Sequence, residues 1–198
     1  MKKSILIVGG SIAGLSAALL FASAKNDELD FDITVIDDSK PDINAVAVYN
    51  VPLFPKAING QEILEKTRKQ ISDFLKVNYV NDTVVEIGGE KGAFTTKTKE
   101  KEFKSDYIIL ATGASKFDIQ GLGDIATEHK LMNKPNKICL KHSKRQLVKD
   151  GIYVAGTAAG ITSMIACAMG SGTEAACAIL SDIKGAITIV HDTPSSRK

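Results

Sequence analysis

Apolar residues along the chain fall into two rhythms. Unbroken runs at Ile5-Leu6-Ile7-Val8, Tyr107-Ile108-Ile109-Leu110 and Ile152-Tyr153-Val154-Ala155 have no polar alternation, as expected of central parallel strands covered on both faces. Phe31 to Ile36 adds a second strand in chain order, ending on Asp37-Asp38. A period near 3.6 marks three helices. The first opens at Ile12 and runs to Ala24. The second spans Gly60 to Leu75, with Ile63, Leu64, Thr67, Ile71, Phe74 and Leu75 on one face and Asn59 as N-cap. The third is an Ala/Gly-rich helix from about Thr162 to Ile183, capped by Thr162 or Ser163, whose Gly170 and Gly172 would let another backbone approach.

Between these elements the pattern is weaker. Ser39 to Asn44, polar and carrying Pro41, reads as a loop, and Ala45 to Val48 as extended. Val77–Val80 and Thr83–Ile87 read as short strands around Asn81-Asp82, Gly88-Gly89 as a turn, and Ala93–Lys97 with Lys101–Lys104 as a small antiparallel meander with a charged face. Ser115 to Asn136 has little periodicity and is expected to hold a connection and a short helix, before a strand at Ile138–Leu140. Strands alternating with helices give an α/β fold around a central parallel sheet. Residues 1–190 are expected to form one domain and 191–198 a disordered tail.

The stretch from Ser4 to Ala24 is the most informative. Its strand runs into Gly9, Gly10, Ser11, Ile12, Ala13 and Gly14, a G-x-S-x-x-G variant of the dinucleotide fingerprint G-x-G-x-x-G. Gly9 permits the tight turn and Gly14 a close helix, while the helix N-terminus offers free N–H groups and a positive dipole end to a pyrophosphate. Ser11, in place of the middle glycine, trades approach distance for a hydroxyl donor. Asp37 and Asp38 stand where the fingerprint expects a carboxylate for ribose hydroxyls; the alternative is that they solvate a turn. Lys2-Lys3, the apolar run and Ala22-Ser23-Ala24 also imitate a signal peptide, but cleavage there would remove the first strand of this unit.

Composition narrows the partners. The chain has 198 residues, 44% hydrophobic content and a net charge of +2, enough for one sizeable core and without a nucleic-acid footprint. The cluster Lys141-His142-Ser143-Lys144-Arg145 is the one basic knot and reads as a solvated loop. No metal constellation is apparent among the three histidines, and Gly151 to Gly170 is too interrupted to read as a membrane span. Cys139, Cys167 and Cys177 form no C-x-x-C pair; each is expected to act as a small apolar core residue in a reducing cytoplasm.

The order of the pieces is more specific than any one of them: fingerprint, acid-tipped second strand, Asn50-Val51-Pro52-x-Phe54-Pro55, meander, Ala111-Thr112-Gly113, and Tyr153-Val154-Ala155-Gly156 before an Ala/Gly helix. The chain resembles the FAD domain of the thioredoxin reductase family over about Ser4–Lys116 and Asn136–Lys184. The resemblance implies a Rossmann-like FAD-binding fold, with Asn50 beside the flavin, Val84 at the adenine, Ala111, Thr112 and Gly113 at a ligand-binding strand end, and Met164 and Ile165 at the flavin's pyrimidine edge. It also implies homodimerisation. The chain departs from the family in three ways. About twenty residues stand where members insert a nicotinamide-binding domain carrying C-x-x-C. Thr157, after Gly156, replaces the family's aspartate. The Gly-Gly-Gln segment after the acidic tip is missing.

The reading that follows is a compact FAD-binding oxidoreductase, with free NAD(P)H or a partner protein as electron donor, no disulfide reductase activity from its own cysteines, and no side chain assigned as acid, base or nucleophile. A non-catalytic FAD-binding or sensing module is the rival. A short NAD(P)-binding reductase without flavin is a third reading, weakened by the closing Gly156–Gly172 unit, which such an enzyme does not need.

Overall fold

The computed structural model describes residues 2–38 and 42–191. Its centre is a six-stranded sheet of β1 (Lys2–Val8), β2 (Asp30–Asp37), β5 (Asn78–Asn81), β9 (Tyr107–Leu110), β12 (Leu147–Lys149) and β13 (Ile152–Val154), in the order β12-β13-β9-β1-β2-β5. All pairs are parallel except β12 with β13. Strand β1 lies between β2 and β9, so the connections leave it in opposite directions, and the carboxyl ends of its neighbours open a crevice there.

The pleat assigns side chains to two cores. Ile5, Ile7, Ile33, Val35 and Ile109 face the helices α1 (Ile12–Ala24), α2 (Gly60–Ser72) and α3 (Ile165–Lys184). Leu6, Val8, Ile36, Ile108, Leu110 and Val154 face the other way, onto the antiparallel sheet of β6 (Val84–Gly88), β7 (Phe94–Thr98) and β8 (Glu102–Ser105) through Val84, Ile87 and Phe94. Both faces are therefore covered, which is why the central runs lack alternation. Helix α1 is wedged between the sheet, α2 and α3, with Leu15, Ala17, Ala18 and Phe21 fully enclosed. Gly172 allows α3 to approach it: a methyl there would sit 2.0 Å from the Ala13 carbonyl oxygen.

Several expectations hold in detail. Asn59 caps α2 by accepting the Glu62 N–H at 2.8 Å, and the expected meander forms, with Val84–Gly88 joining it as a third strand. Others are corrected. Helix α2 ends at Ser72, three residues early, because Asp73, Phe74 and Leu75 turn back onto Gln70 and Ile71. Helix α3 begins at Ile165, not Thr162: the chain first closes a 3-10 turn over Gly156–Ala159, with Gly160 left-handed at φ 73°, and Met164 occupies the N-cap position. Gly170, unlike Gly172, faces open space.

Ser115–Asn136 contains no helix. Several of its N–H groups go to distant partners: Gln120 bonds to Val85, and Ala126–Glu128 forms β10, paired antiparallel with β11 (Ile138–Leu140) as a separate two-stranded sheet. Asp42–Ala45 is a 3-10 turn, and the short strands β3 (Ala47–Val48) and β4 (Ile58–Asn59) pair across the Asn50 loop. The expected loop at 39–41 and the tail at 192–198 lie outside the described residues.

Candidate functional site

Four strand ends meet at one level, since Val8 is in register with Ile36 on one side and Leu110 on the other, and Leu110 with Val154. Above them lies a cleft of about 540 Å³. Of the residues singled out from sequence, Gly9, Ser11, Ile12, Ala13, Asp37, Asp38, Val84, Ala111, Thr112, Gly113, Gly156, Thr157, Met164 and Ile165 line it. Gly10, Gly14 and Asn50 do not. Gly10 is buried behind the turn, where its N–H donates to Asp37 Oδ1 at 3.0 Å. Gly14 packs beneath Gly9, so closely that a methyl on it would meet the Gly9 carbonyl oxygen at 2.0 Å. Asn50 is exposed in the β3–β4 loop. The sequence reading missed Ser115, Lys116, Phe117, Asp118 and Ile119, whose signal was their position straight after the Ala111–Gly113 turn, and Met132, which carried none.

Gly9 shapes the cleft floor. Its φ is 112°, its N–H donates to the Ile36 carbonyl at 2.8 Å, and a side chain would meet the Ala111 carbonyl oxygen at 2.2 Å. Two helices aim their N-termini at the same space. Neither Ser11 nor Met164 makes a side-chain capping bond, and neither first turn carries an acidic residue, so the positive ends of α1 and α3 are left for a ligand. At the β2 end the charge is reversed, with Asp37, Asp38, Asp82 and Asp118 in the lining. Lys116 pairs with Asp118, and that bond holds its ammonium above the usual lysine range. At the α3 end the lining is Thr157, Ser163, Met164, Ile165 and Ala168, none of them titratable near neutral pH.

Among the described residues, two buried polar atoms of this lining have no partner, Asp82 Oδ2 at the acidic end and the Thr112 hydroxyl at the strand-end turn. An enclosed hydroxyl of this kind costs roughly 1 to 3 kcal/mol unless something in the cleft bonds to it. Thr112 thus marks the strand-end turn as a place for a polar ligand group.

The cysteines are not core residues as expected. Cys167 is exposed, ahead of the fully buried residues of α3 that begin at Ser171, Cys177 falls at the edge of that buried face, and Cys139, on β11, is also partly exposed. All three are free thiols. Cys167 and Cys177 lie ten residues apart on one helix, about 15 Å along its axis, too far to pair. Burial pushes the Cys139 and Cys177 thiols above the usual range. Among the described residues no group of three His, Cys, Asp or Glu could hold a metal ion, and no helix is long and apolar enough to cross a membrane.

Residues 3–195, and with them the whole cleft, match the family model described as pyridine nucleotide-disulphide oxidoreductase. The chain belongs to that family. Thioredoxin reductase 1, mitochondrial, of Arabidopsis thaliana is 33% identical over 113 residues, 56% of this chain and 30% of that one. Thioredoxin reductase of Peptoclostridium acidaminophilum is 28% identical over 114 residues, 56% of this chain and 34% of that one. The matched stretch thus spans about a third of the length of these curated relatives. Among solved structures, a thioredoxin reductase from Gloeobacter violaceus superposes with a TM-score of 0.75 at 16% identity, over 97% of this chain and 99% of that one. An oxidoreductase from Agrobacterium tumefaciens gives the same TM-score and identity over 93% and 99%. At such identities the likeness speaks for the fold, which is that of the thioredoxin reductase-like Rossmann flavoproteins, and family and fold together imply a flavin cofactor.

Proposed function

We propose that the chain is a flavoprotein oxidoreductase that binds FAD along this cleft. The observation that carries the reading is the cleft itself: across the strand ends an acidic tip on β2, a glycine turn on β1 and, beyond β9, the uncapped N-terminus of α3 follow one another in the order an extended dinucleotide needs. The residues present fit the group. The missing Cβ of Gly9 leaves its floor open, and the orphaned Thr112 hydroxyl awaits a partner.

When bound, FAD supplies the electron-carrying ring. The chain's residues do the rest. The turn at Ser11–Ala13 and the N-terminus of α1 hold the pyrophosphate, and Asp37 accepts from ribose hydroxyls. The acidic end rejects an extra phosphate there. The N-terminus of α3 at Met164 and Ile165 faces the ring and favours negative charge on it. Thr157 contributes a neutral hydroxyl in place of the family's aspartate. With no C-x-x-C pair and all three cysteines free thiols, electrons enter from a diffusible nicotinamide or a partner protein and not through a disulfide of this chain.

A second reading, FAD as a structural or sensing element, is favoured by the α3 end of the lining, which holds no side chain able to trade a proton near neutral pH. The purified protein should be yellow and release FAD, not FMN, on denaturation; a colourless protein that takes up no flavin would end both readings. Reduction by NADH or NADPH in a stopped-flow instrument should rise nearly linearly with concentration and differ little between the two. Saturation at micromolar nicotinamide would reveal a dedicated site, and no reduction by either nicotinamide or a redox protein would favour the module. Replacing Cys139, Cys167 and Cys177 together should leave reduction intact.

A further inference from the structure

Two consecutive non-glycine residues, Arg145 and Gln146, adopt the left-handed conformation, with φ 57° and 61°. Such a pair is strained and persists only where the surroundings enforce it. Here both side chains are held by α3. Arg145 Nε donates to Glu174 Oε1 at 3.0 Å, and Nη1 to the Ser181 hydroxyl at 3.0 Å. Gln146 reaches deeper, to Ser171, which is only 7% exposed. Gln146 Nε2 donates to the Ser171 carbonyl at 2.8 Å, and its Oε1 accepts from the Ser171 hydroxyl at 2.6 Å.

The hydroxyl of Ser171 has a second partner. Its oxygen accepts the buried N–H of Gly156 at 2.9 Å. Because the Ser171 proton is committed to Gln146, the lone pair is presented to Gly156, and the three groups form one polarised chain from backbone amide to glutamine carbonyl. Gly156, at φ 69°, opens the 3-10 turn that lines the cleft, and a methyl on it would sit 2.9 Å from the Ala13 Cβ. The residue after Ser171 is Gly172, which rests on the Ala13 backbone. One step of α3 therefore touches both turns of the cleft, the fingerprint turn through Ala13 and the closing turn through Gly156.

We propose that Gln146 is a positioning residue: through Ser171 it fixes the Gly156–Thr157 turn against the Ala13 turn, and so sets the width of the cleft for its ligand. This rests on the flavin reading for its consequence, though not for its geometry. The left-handed backbone at Arg145–Gln146, which a glycine at 145 adopts equally well, is what aims the glutamine at Ser171.

The left-handed pair supplies its own control. Glycine accepts this backbone freely, so Arg145→Gly and Gln146→Gly each relieve strain and each delete contacts to α3, but only Gln146→Gly breaks the route to Gly156. In the full chain without ligand, Gln146→Gly should raise the hydrogen-exchange rate of the Gly156 amide about ten-fold, with Arg145→Gly within about two-fold of the parent. Titration with FAD, followed by flavin fluorescence, should show the same split: affinity about ten-fold weaker for Gln146→Gly and unchanged for Arg145→Gly. Both variants should melt within a few degrees of the parent. Equal effects of the two variants, or an unaltered Gly156 amide in Gln146→Gly, would overturn the proposal, as would faster exchange with undiminished FAD affinity. If the parent chain takes up no FAD, the flavin reading fails, while Gly156 exchange still decides the positioning role.

Discussion

At the Gly9 end of the cleft the backbone is shaped by what cannot fit: side chains at Gly9 or Gly14 would drive a Cβ into a carbonyl oxygen at 2.2 or 2.0 Å. From Ser115 to Gln146 it is held by what reaches across: Gln120 bonded to Val85, Ala126 paired with Leu140, Ile138 bonded to Ala114, and Gln146 bonded to Ser171. The first kind of constraint is steric and absolute, while the second is distributed and can be lost one bond at a time. The two should therefore fail differently, and the largest failure belongs to the first. Gly9→Ala meets both a φ of 112° and the Ala111 carbonyl, and should cost on the order of 3 kcal/mol or more, read as a lowered urea midpoint or as loss of folded protein. Gly123→Ala shares the positive φ but has nothing within 4 Å, so about 1 kcal/mol is expected there. Similar losses at the two sites would mean that steric exclusion does not set the cleft floor.

The same contrast explains what could be read in the sequence. Strand β1, its turn and α1 were legible because their apolar run, glycine spacing and helix start stand in consecutive residues, even though the turn's partners Ile36, Asp37 and Ala111 are distant, and the Asn59 cap needs only the N–H three residues on. Thr162 and Ser163 look like caps, but a left-handed Gly160 and a 3-10 turn delay the helix to Ile165. Ser115–Asn136 was opaque because β10 exists only through β11, and that partnership leaves no period in the sequence. The left-handed Arg145 and Gln146 have no sequence signal, since neither residue type favours that region. The site was legible where it rests on glycines and strand tips, and hidden where Met132 and Lys116 enter it from the unread segment.

Asp37 belongs to the legible half but works by hydrogen bonding, since it holds the Gly10 N–H at 3.0 Å and lines the cleft. Asp37→Ala should weaken FAD binding by about one to two orders of magnitude, equivalent to roughly 1.5 to 3 kcal/mol. Unchanged affinity in a fluorescence titration would shift the ribose contact to Asp38 or remove it.

Remote from the cleft, Tyr107 at the start of β9 donates to Asp182 Oδ2 of α3 at 2.8 Å. Burial, and then this bond, hold its phenol well above the usual tyrosine range. The folded chain keeps that proton after the unfolded chain has lost it, so the contribution is complete below about pH 10 and declines as the pH rises beyond it. Tyr107→Phe should lower stability by about 1 kcal/mol at neutral pH and flatten the alkaline decline in denaturant titrations above pH 10. Parallel curves for parent and variant would assign the decline elsewhere.

The smallest effect has the opposite sign. Gly170 and Gly172 lie two residues apart on α3, and sequence alone treats them alike. A methyl at Gly172 would press on the Ala13 carbonyl at 2.0 Å, whereas one at Gly170 meets nothing within 4 Å, and Gly170 has ordinary helical backbone. Glycine inside a helix costs about 1 kcal/mol relative to alanine, because its backbone loses more freedom on folding. Gly170→Ala should therefore stabilise the chain by about 0.5 to 1 kcal/mol, while Gly172→Ala should destabilise it by at least as much and weaken FAD binding by displacing α3 from Ala13. The signs are set by packing against α1, because helix propensity favours alanine at both positions. Two stabilising alanines in a thermal melt would show that α3 is not seated on the fingerprint turn.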